Sequence, residues 1–161
     1  MNALEYAIKM EQDGESYYRA QAAINQDNSL HPVCLMLAED EAHHALILMN
    51  RKNNQSTELR ESDTLMNAKN IFNGIGDIKM DLKPTPSQLD FYRIASDKEK
   101  QSIELYSELL SKTEDEGEIE MFKYLIEQEK QHFEVLDTLA ALLRNAEEWV
   151  ESAEFGLRKD F

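Results

Sequence analysis

The chain has 161 residues, a length at which one hydrophobic core forms a single domain rather than two. Its 32 acidic side chains outnumber the 17 basic ones, and the net charge of −15 argues against nucleic acid or an anionic membrane as a partner, because both require a basic surface. Cys34 is the only cysteine, which excludes an intrachain disulfide and a metal site built on paired cysteines.

Helical periodicity predicts two long helices in the first half of the chain. Only five Gly and three Pro interrupt the sequence, a composition that favours helix. Core-type residues recur on one face of residues 2–24, and the polar run 25–28 then ends the pattern. A second helix is predicted over residues 29–52, with Pro32 in its first turn, where a missing amide hydrogen does no harm.

An irregular segment separates the two halves. Residues 53–85 are polar, and within them only residues 65–75 have the amphipathic pattern of a short helix, which would end at Gly74 or Gly76. We interpret the segment as a crossover connection rather than a domain.

Capping boxes predict where the third and fourth helices begin, since each places a Thr three residues before a Gln or Glu. The two boxes begin at Thr85 and Thr113. The helices are therefore predicted over residues 86–112 and 114–143. A short last helix near residues 146–154, within a tail of residues 145–161, is expected to pack back on the other helices.

An offset of 88 residues relates the two halves, although their overall identity at that offset is low. The matching pairs include Ala7 and Ala95, Glu11 and Glu99, Tyr18 and Tyr106, Leu37 and Leu125, Glu41 and Glu129, His44 and His132, and Leu48 and Leu136. Such a repeat indicates two helical hairpins with a common layout. The predicted turns support these hairpins. Glu11 and His44 lie equally far from the turn at residues 25–28, and their counterparts lie equally far from the turn at residues 113–116.

These elements predict an all-α fold, a ferritin-like antiparallel four-helix bundle with one long crossover between helices 2 and 3 and a short C-terminal helix. The crossover must return the chain along the bundle, about 36 Å for a helix of about 24 residues. We expect residues 1–161 to form one domain.

The motif Glu-x-x-His occurs twice, at residues 41–44 and 129–132, and its spacing places both side chains of each pair on one helix face. One further inward Glu from each remaining helix completes four carboxylates and two imidazoles, the ligand set of carboxylate-bridged di-iron and di-manganese bundles. The predicted metal ligands are Glu11, Glu41, His44, Glu99, Glu129 and His132. Two divalent cations would cancel charge that is costly to bury, although a polar core without metal is the alternative. Oxygen and nitrogen ligands favour two iron (Fe) ions, with manganese possible and zinc as an adventitious occupant.

Four further residues flank this set. Tyr18 and Tyr106 lie seven residues after the first-helix and third-helix glutamates, so their hydroxyls are candidates to hydrogen-bond a ligand carboxylate of the opposite hairpin. We predict a catalytic role for both tyrosines through these ligands. Ordinary core tyrosines would occupy the same positions. Gly14 and Ser102, one turn after those glutamates, are small and predict free space beside the metals, although small packing residues would look the same.

At these residues the chain resembles the rubrerythrin family, whose helices carry Ala-x-x-x-Glu followed seven residues later by Tyr, and then Asp-Glu-x-x-His or Gln-Glu-x-x-His. The corresponding residues here are Ala7, Glu11, Tyr18 and Asp40 to His44 in the first half, and Ala95, Glu99, Tyr106 and Gln128 to His132 in the second. The resemblance covers residues 2 to about 140. It implies that the six matching residues bind two irons, that the protein reduces hydrogen peroxide or reacts with dioxygen, and that it forms a homodimer.

Two features differ from the family pattern. Classical members add a rubredoxin domain with two cysteine pairs, so a chain with Cys34 alone is expected to receive electrons from a separate donor, such as a rubredoxin-type protein. Ser102 stands where those members carry a further Glu that takes part in the ligand exchange associated with peroxidase activity.

Three functions follow as hypotheses. The first is a non-haem di-iron oxidoreductase that reacts with hydrogen peroxide or dioxygen, with a role in oxidative stress. The second is an iron-binding or ferroxidase-like protein without multiple turnover, and the third is a helical interaction module that binds no metal. Because the first residues lack a secretion signal and no apolar run of about 18 residues occurs, we expect a cytoplasmic protein.

Overall fold

The structure, a computed structural model, describes residues 2–74 and 86–159, with side chains as far as residue 145. Within these residues the chain forms five α-helices and no strand. The helices are α1 (Ala3–Ile24), α2 (Leu30–Lys52), α3 (Thr64–Asn73), α4 (Pro86–Lys112) and α5 (Glu116–Lys159). The predicted all-α fold class is confirmed.

Two helical hairpins make up the bundle. Helix α1 packs along α2, and α4 packs along α5, while α1 and α4 also touch each other. The short connections within each hairpin make its helices antiparallel neighbours. Helix α3 lies in the crossover and packs against α5 and α2, so the crossover contributes to the bundle surface.

Polar side chains cap the helix starts and fix their positions. The Asn2 carboxamide oxygen accepts the Glu5 N–H at 2.8 Å at the start of α1, and the Asn28 oxygen accepts the Leu30 N–H at 2.8 Å at the start of α2. Helix α3 covers most of the predicted residues 65–75 and ends with Gly74, whose N–H donates to the Asn70 carbonyl at 3.0 Å. Thr85, Ile75 and Gly76, which also entered the predictions, lie outside the described residues.

The fourth bundle helix begins two residues later than the predicted residue 114. Asp115 caps it, because its carboxylate accepts the Glu118 N–H at 2.9 Å. Thr113, the expected cap, instead accepts the Asp115 N–H at 3.2 Å and so shapes the turn before the helix.

The C-terminal part also differs from the prediction of a separate short helix near residues 146–154. Helix α5 continues from Glu116 to Lys159 without interruption. Residues 143–155 contain neither Gly nor Pro, so no residue there breaks the helix, and Asn145 is too weak a helix breaker to end it. The predicted packing of this segment on the bundle lies outside the described side chains.

Two apolar clusters fill the bundle interior on either side of a polar layer. One includes Leu30, Leu37 and Leu136, and the other includes Leu48 and Leu125, all of them fully or almost fully buried. Each such leucine contributes about 1.5–3 kcal/mol of burial free energy. This apolar packing holds the polar side chains between the clusters in place.

Membrane insertion was not expected from the sequence. In the described part of the chain, no helix combines the length and the apolar character that a membrane span requires.

Candidate metal centre

The polar layer between the two apolar clusters contains all six predicted metal ligands. Each of the four bundle helices contributes, since α1 and α4 supply one glutamate each and α2 and α5 supply one Glu-x-x-His motif each. The residues are Glu11, Glu41, His44, Glu99, Glu129 and His132, and none is more than 4% exposed. The three-residue spacing in α2 and α5 places the Glu and His of each motif one turn apart on the inward face.

The ligand atoms fall into two overlapping groups, and within each group all of them lie within 4.8 Å of one another. The first group is Glu11, Glu41, His44 and Glu129, and the second is Glu41, Glu99, Glu129 and His132. Because Glu41 and Glu129 belong to both groups, they lie between the two positions that metal ions would take. Two adjacent positions that share two carboxylates are the layout of a bridged two-metal centre.

Both imidazoles direct their Nδ1 atoms at the carboxylates. His44 Nδ1 lies 2.8 Å from Glu129 Oε1 and 3.4 Å from Glu11 Oε2. His132 Nδ1 lies 3.2 Å from Glu99 Oε1 and 3.3 Å from Glu41 Oε1. The ring centroids are 5.7 Å apart. In each histidine, Nδ1 is therefore the nitrogen placed to bind an ion.

Several buried atoms of the predicted ligands have no hydrogen-bond partner of normal geometry in the part of the chain that the structure describes. These atoms are Glu11 Oε2, His44 Nδ1, Glu99 Oε2, and both carboxylate oxygens of Glu129. A buried polar atom without a partner costs about 1–3 kcal/mol, and more when it is charged. Divalent cations would bind these lone pairs, so the residues present fit a pair of metal ions. Their action as ligands stays a prediction.

Burial and mutual repulsion set the protonation of the metal-free carboxylates. Burial, reinforced by the nearby Glu11 carboxylate, raises the pKa of Glu41 and Glu129 well above the usual carboxyl value. Burial acts in the same direction on Glu99, but the charge of His132 and hydrogen bonds outweigh it and lower the pKa of Glu99 to about 2. The two shared carboxylates thus hold protons that a metal ion must displace.

Two tyrosines connect the hairpins at this layer. Tyr18 on α1 donates a hydrogen bond of 2.6 Å to Glu99 Oε1 on α4, and Tyr106 on α4 donates one of 2.5 Å to Glu11 Oε1 on α1. Burial and the adjacent carboxylate raise the pKa of both tyrosines well above 10, so both remain neutral donors. The expected contact with the opposite hairpin is observed, and a catalytic role for the tyrosines stays a prediction.

Asp40 also belongs to the site, although the sequence did not assign it a role. His132 Nε2 lies 2.9 Å from Asp40 Oδ2, so the Nε2–H donates to this carboxylate and leaves Nδ1 for a metal. Asp40 also accepts hydrogen bonds from Thr64 Oγ1 at 2.6 Å and from Ser62 Oγ at 2.9 Å. The only sequence signal was the position of Asp40 directly before Glu41.

A cavity of about 50 Å³ lies beside Glu41 and Glu99 and is lined in part by Gly14 and Ser102. A Cβ atom at Gly14 would lie 3.1 Å from Glu41 Oε2, so the glycine leaves room for this carboxylate. Ser102 Oγ donates to the Lys98 carbonyl oxygen at 3.0 Å, as a helical serine often does. The structure therefore has the free space that the two small residues predicted.

Comparison with known proteins gives one result that bears on this centre. A protein-family model described as Rubrerythrin matches residues 2–140, a range that includes all six predicted ligands and both tyrosines. No curated protein and no solved structure matches the chain significantly. Because the family model covers well over half of the sequence, the chain belongs to the rubrerythrin family.

Proposed function

We propose that the protein is a non-haem di-iron oxidoreductase that reduces hydrogen peroxide or dioxygen. The observation that carries the proposal is the pair of overlapping ligand groups that share Glu41 and Glu129 in the buried layer. Membership of the rubrerythrin family supports the same function. The carboxylate and imidazole side chains of the site would also suit manganese.

Each ion would have ligands of its own besides the two shared carboxylates. Glu11 and His44 would hold one ion, and Glu99 and His132 would hold the other. Bound iron would supply the two electrons that, with two protons, convert hydrogen peroxide into two water molecules.

The chain itself would orient two of the ligand carboxylates and limit the size of the substrate. Tyr18 and Tyr106 fix one oxygen of Glu99 and of Glu11 by hydrogen bonds, which leaves the lone pairs of the other oxygen of each carboxylate available for a metal ion. The cavity of about 50 Å³ beside Glu41 admits molecules of the size of peroxide or dioxygen. A drug-sized organic substrate needs a pocket of about 300–1,000 Å³, so it does not fit there.

The electron donor is proposed to be a separate protein of the rubredoxin type. Cys34 is buried in the apolar core, and burial raises the pKa of its thiol to about 12, so it stays a protonated thiol. Electrons would therefore reach the metal centre without passing through Cys34. We also propose a cytoplasmic homodimer that acts in oxidative stress; sedimentation equilibrium of the metal-loaded protein tests the dimer.

Ser102 favours a second candidate, an iron-binding or ferroxidase-like protein without multiple turnover. Its hydroxyl is bonded to the Lys98 carbonyl and contacts Met10 Sδ at 3.5 Å, so this position adds no carboxylate to the six ligands. A site without that carboxylate would oxidise iron once and depend on slow re-reduction.

Rapid mixing separates these functions. The metal-free protein is loaded anaerobically with Fe²⁺, mixed with hydrogen peroxide or with dioxygen, and followed by absorbance. The oxidoreductase should oxidise its iron much faster than free Fe²⁺ reacts, and an added rubredoxin with its reductase should sustain many turnovers. A single fast oxidation without turnover supports the second candidate, whereas oxidation at the rate of free Fe²⁺ contradicts both.

A matched pair of variants shows whether the reaction depends on the site. Glu129→Ala should abolish stoichiometric iron binding, because this carboxylate belongs to both ligand groups. Glu127→Ala removes an exposed carboxylate two residues away on the same helix and should bind iron like the original protein. Equal loading of the two variants would refute the ligand assignment.

A further inference from the structure

The offset of 88 residues relates the ligands of the two metal positions, but it does not relate the groups behind their histidines. His132 Nε2 donates to Asp40 Oδ2 at 2.9 Å. The counterpart of His132 is His44, and the counterpart of Asp40 is Gln128. His44 Nε2 and Gln128 Nε2 are both buried, and neither makes a hydrogen bond to any residue that the structure describes. Among the described residues, the second ring nitrogen of His132 thus donates to a carboxylate, whereas that of His44 does not.

The crossover holds the Asp40 carboxylate in place. Asp40 is held by Thr64, the first residue of α3, and by Ser62 just before it. The 88-residue repeat has no second copy of α3, because the crossover connects the two hairpins only once. The rings of His44 and Tyr124 instead form a T-shaped contact, with centroids 6.4 Å apart. The imidazole of His132 therefore donates to a carboxylate that other hydrogen bonds hold in place, and the imidazole of His44 has no such partner among the described residues.

The number of carboxylates around the two metal positions also differs, and it is larger at the position of His132. The position at His44 is surrounded by the carboxylates of Glu11, Glu41 and Glu129. The position at His132 has three carboxylates in its ligand group and Asp40 as a fourth behind the imidazole. A carboxylate that accepts the second N–H of a ligand histidine raises the basicity of the imidazole, and its loss typically lowers metal affinity by about 10–100-fold.

We propose that the two metal positions are unequal, that the position at His132 binds its divalent cation first and more tightly, and that Asp40 is the positioning residue that sets this order. The inference rests on the proposed two-metal site. It extends that proposal by assigning an order of loading and a residue that controls it.

Titration of the metal-free protein with Co²⁺ tests the order, because Co²⁺ accepts the same oxygen and nitrogen ligands and its visible absorption reports each binding step. The original protein should bind two Co²⁺ in steps whose affinities differ by about 10–100-fold. Asp40→Asn should weaken the first step until the two steps merge. Glu39→Gln removes the same charge from the neighbouring exposed residue and should leave both steps as they are.

A variant of the other half leaves Asp40 itself unaltered. Gln128→Asp places a carboxylate at the position that corresponds to Asp40, so it should strengthen the second step by about 10-fold or more. Because Asp40 keeps its hydrogen-bond donors Ser62 and Thr64 in this variant, the result does not depend on how the crossover tolerates a change at Asp40.

Removal of single histidines assigns the steps to positions. His132→Ala should abolish the tighter step, and His44→Ala should abolish the weaker one. The inference would be overturned if the original protein bound Co²⁺ in two equal steps, or if Asp40→Asn and Gln128→Asp both left the steps unchanged. Either result would leave the proposed function standing. Failure of the original protein to bind stoichiometric Co²⁺ would overturn the proposed function as well.

Discussion

Tyr18 on α1 and Glu99 on α4 are joined by a hydrogen bond of 2.6 Å that crosses from one hairpin to the other inside the polar layer. The two residues are 81 positions apart in the chain, and the reciprocal bond from Tyr106 to Glu11 spans 95 positions. The hairpins are therefore connected by hydrogen bonds that end on predicted metal ligands. Assembly of the bundle and orientation of the site depend on the same contacts.

Tyr18→Phe should destabilise the metal-free protein. The change removes the hydroxyl donor from a buried carboxylate whose low pKa, about 2, keeps it ionised. A hydrogen bond to a charged group contributes about 1.5–3 kcal/mol, and the free energy of unfolding in urea should fall by about that amount. Tyr17→Phe is the matched control, because the neighbouring hydroxyl has no hydrogen-bond partner among the described residues. Equal losses in the two variants would show that the bond to Glu99 contributes nothing.

Gly14→Ala should lower the affinity for metal without lowering the stability of the fold. A glycine inside a helix costs about 0.5–1 kcal/mol relative to alanine, so the metal-free variant should be at least as stable as the original protein if Glu41 can move aside. The new Cβ atom would lie 3.1 Å from Glu41 Oε2 and 3.3 Å from its Cδ, so this shared carboxylate must shift. Co²⁺ affinity should therefore fall while the melting temperature of the metal-free protein does not.

Ser16→Ala provides the control for this experiment. Ser16 lies on the exposed face of the same helix, so the change improves helix propensity without altering the site. It should leave Co²⁺ affinity unchanged. A Gly14→Ala protein that binds Co²⁺ like Ser16→Ala would show that Glu41 has no fixed position in the centre.

The sequence predicted the bundle and the six clustered residues because both depend on regular spacing. Periodicity placed the helix faces, and the 88-residue offset identified Glu11, Glu41 and His44 with their counterparts as one repeated set. Equal distances from the two turns then placed these residues at one level of the bundle. Such arguments need only helical geometry, so they hold without knowledge of how the hairpins pack.

The role of Asp40 was not predictable by such spacing. Its partner His132 is 92 residues away, and the contact depends on how α2 and α5 meet across the bundle. Its other partners lie in the crossover, which the repeat does not include. The prediction also divided α5 near residue 143, although no Gly or Pro in residues 143–155 interrupts that helix.

Metal binding should release protons and strengthen as the pH rises. Burial raises the pKa of Glu41 and Glu129 well above 4.5 in the metal-free protein, and metal binding requires both to be ionised. Burial would lower the pKa of His132, but the Glu99 carboxylate and hydrogen bonds outweigh it and raise the value well above 6.5, so this imidazole must lose a proton too. The apparent affinity therefore falls as the pH decreases below these raised values.

Calorimetry of Co²⁺ binding in buffers of different ionisation enthalpy measures the number of protons released. The number of protons released by the original protein should fall as the pH rises, because Glu41 and Glu129 are then ionised before the metal binds. Affinity that does not change with pH would contradict the protonated state assigned to the two shared carboxylates.

Ser102→Glu should make the metal-free protein less stable and more dependent on metal. The new carboxylate would enter the small cavity beside Glu41 and Glu99, where burial and like charges disfavour ionisation. The melting temperature of the metal-free protein should therefore fall, and Co²⁺ should raise it by more than in the original protein, because a cation offsets the added charge. Ser102→Gln fills the same space without charge, so it should lose stability through crowding and recover no additional stability from metal. If the two variants respond equally to Co²⁺, the position at Ser102 does not interact with the metal centre.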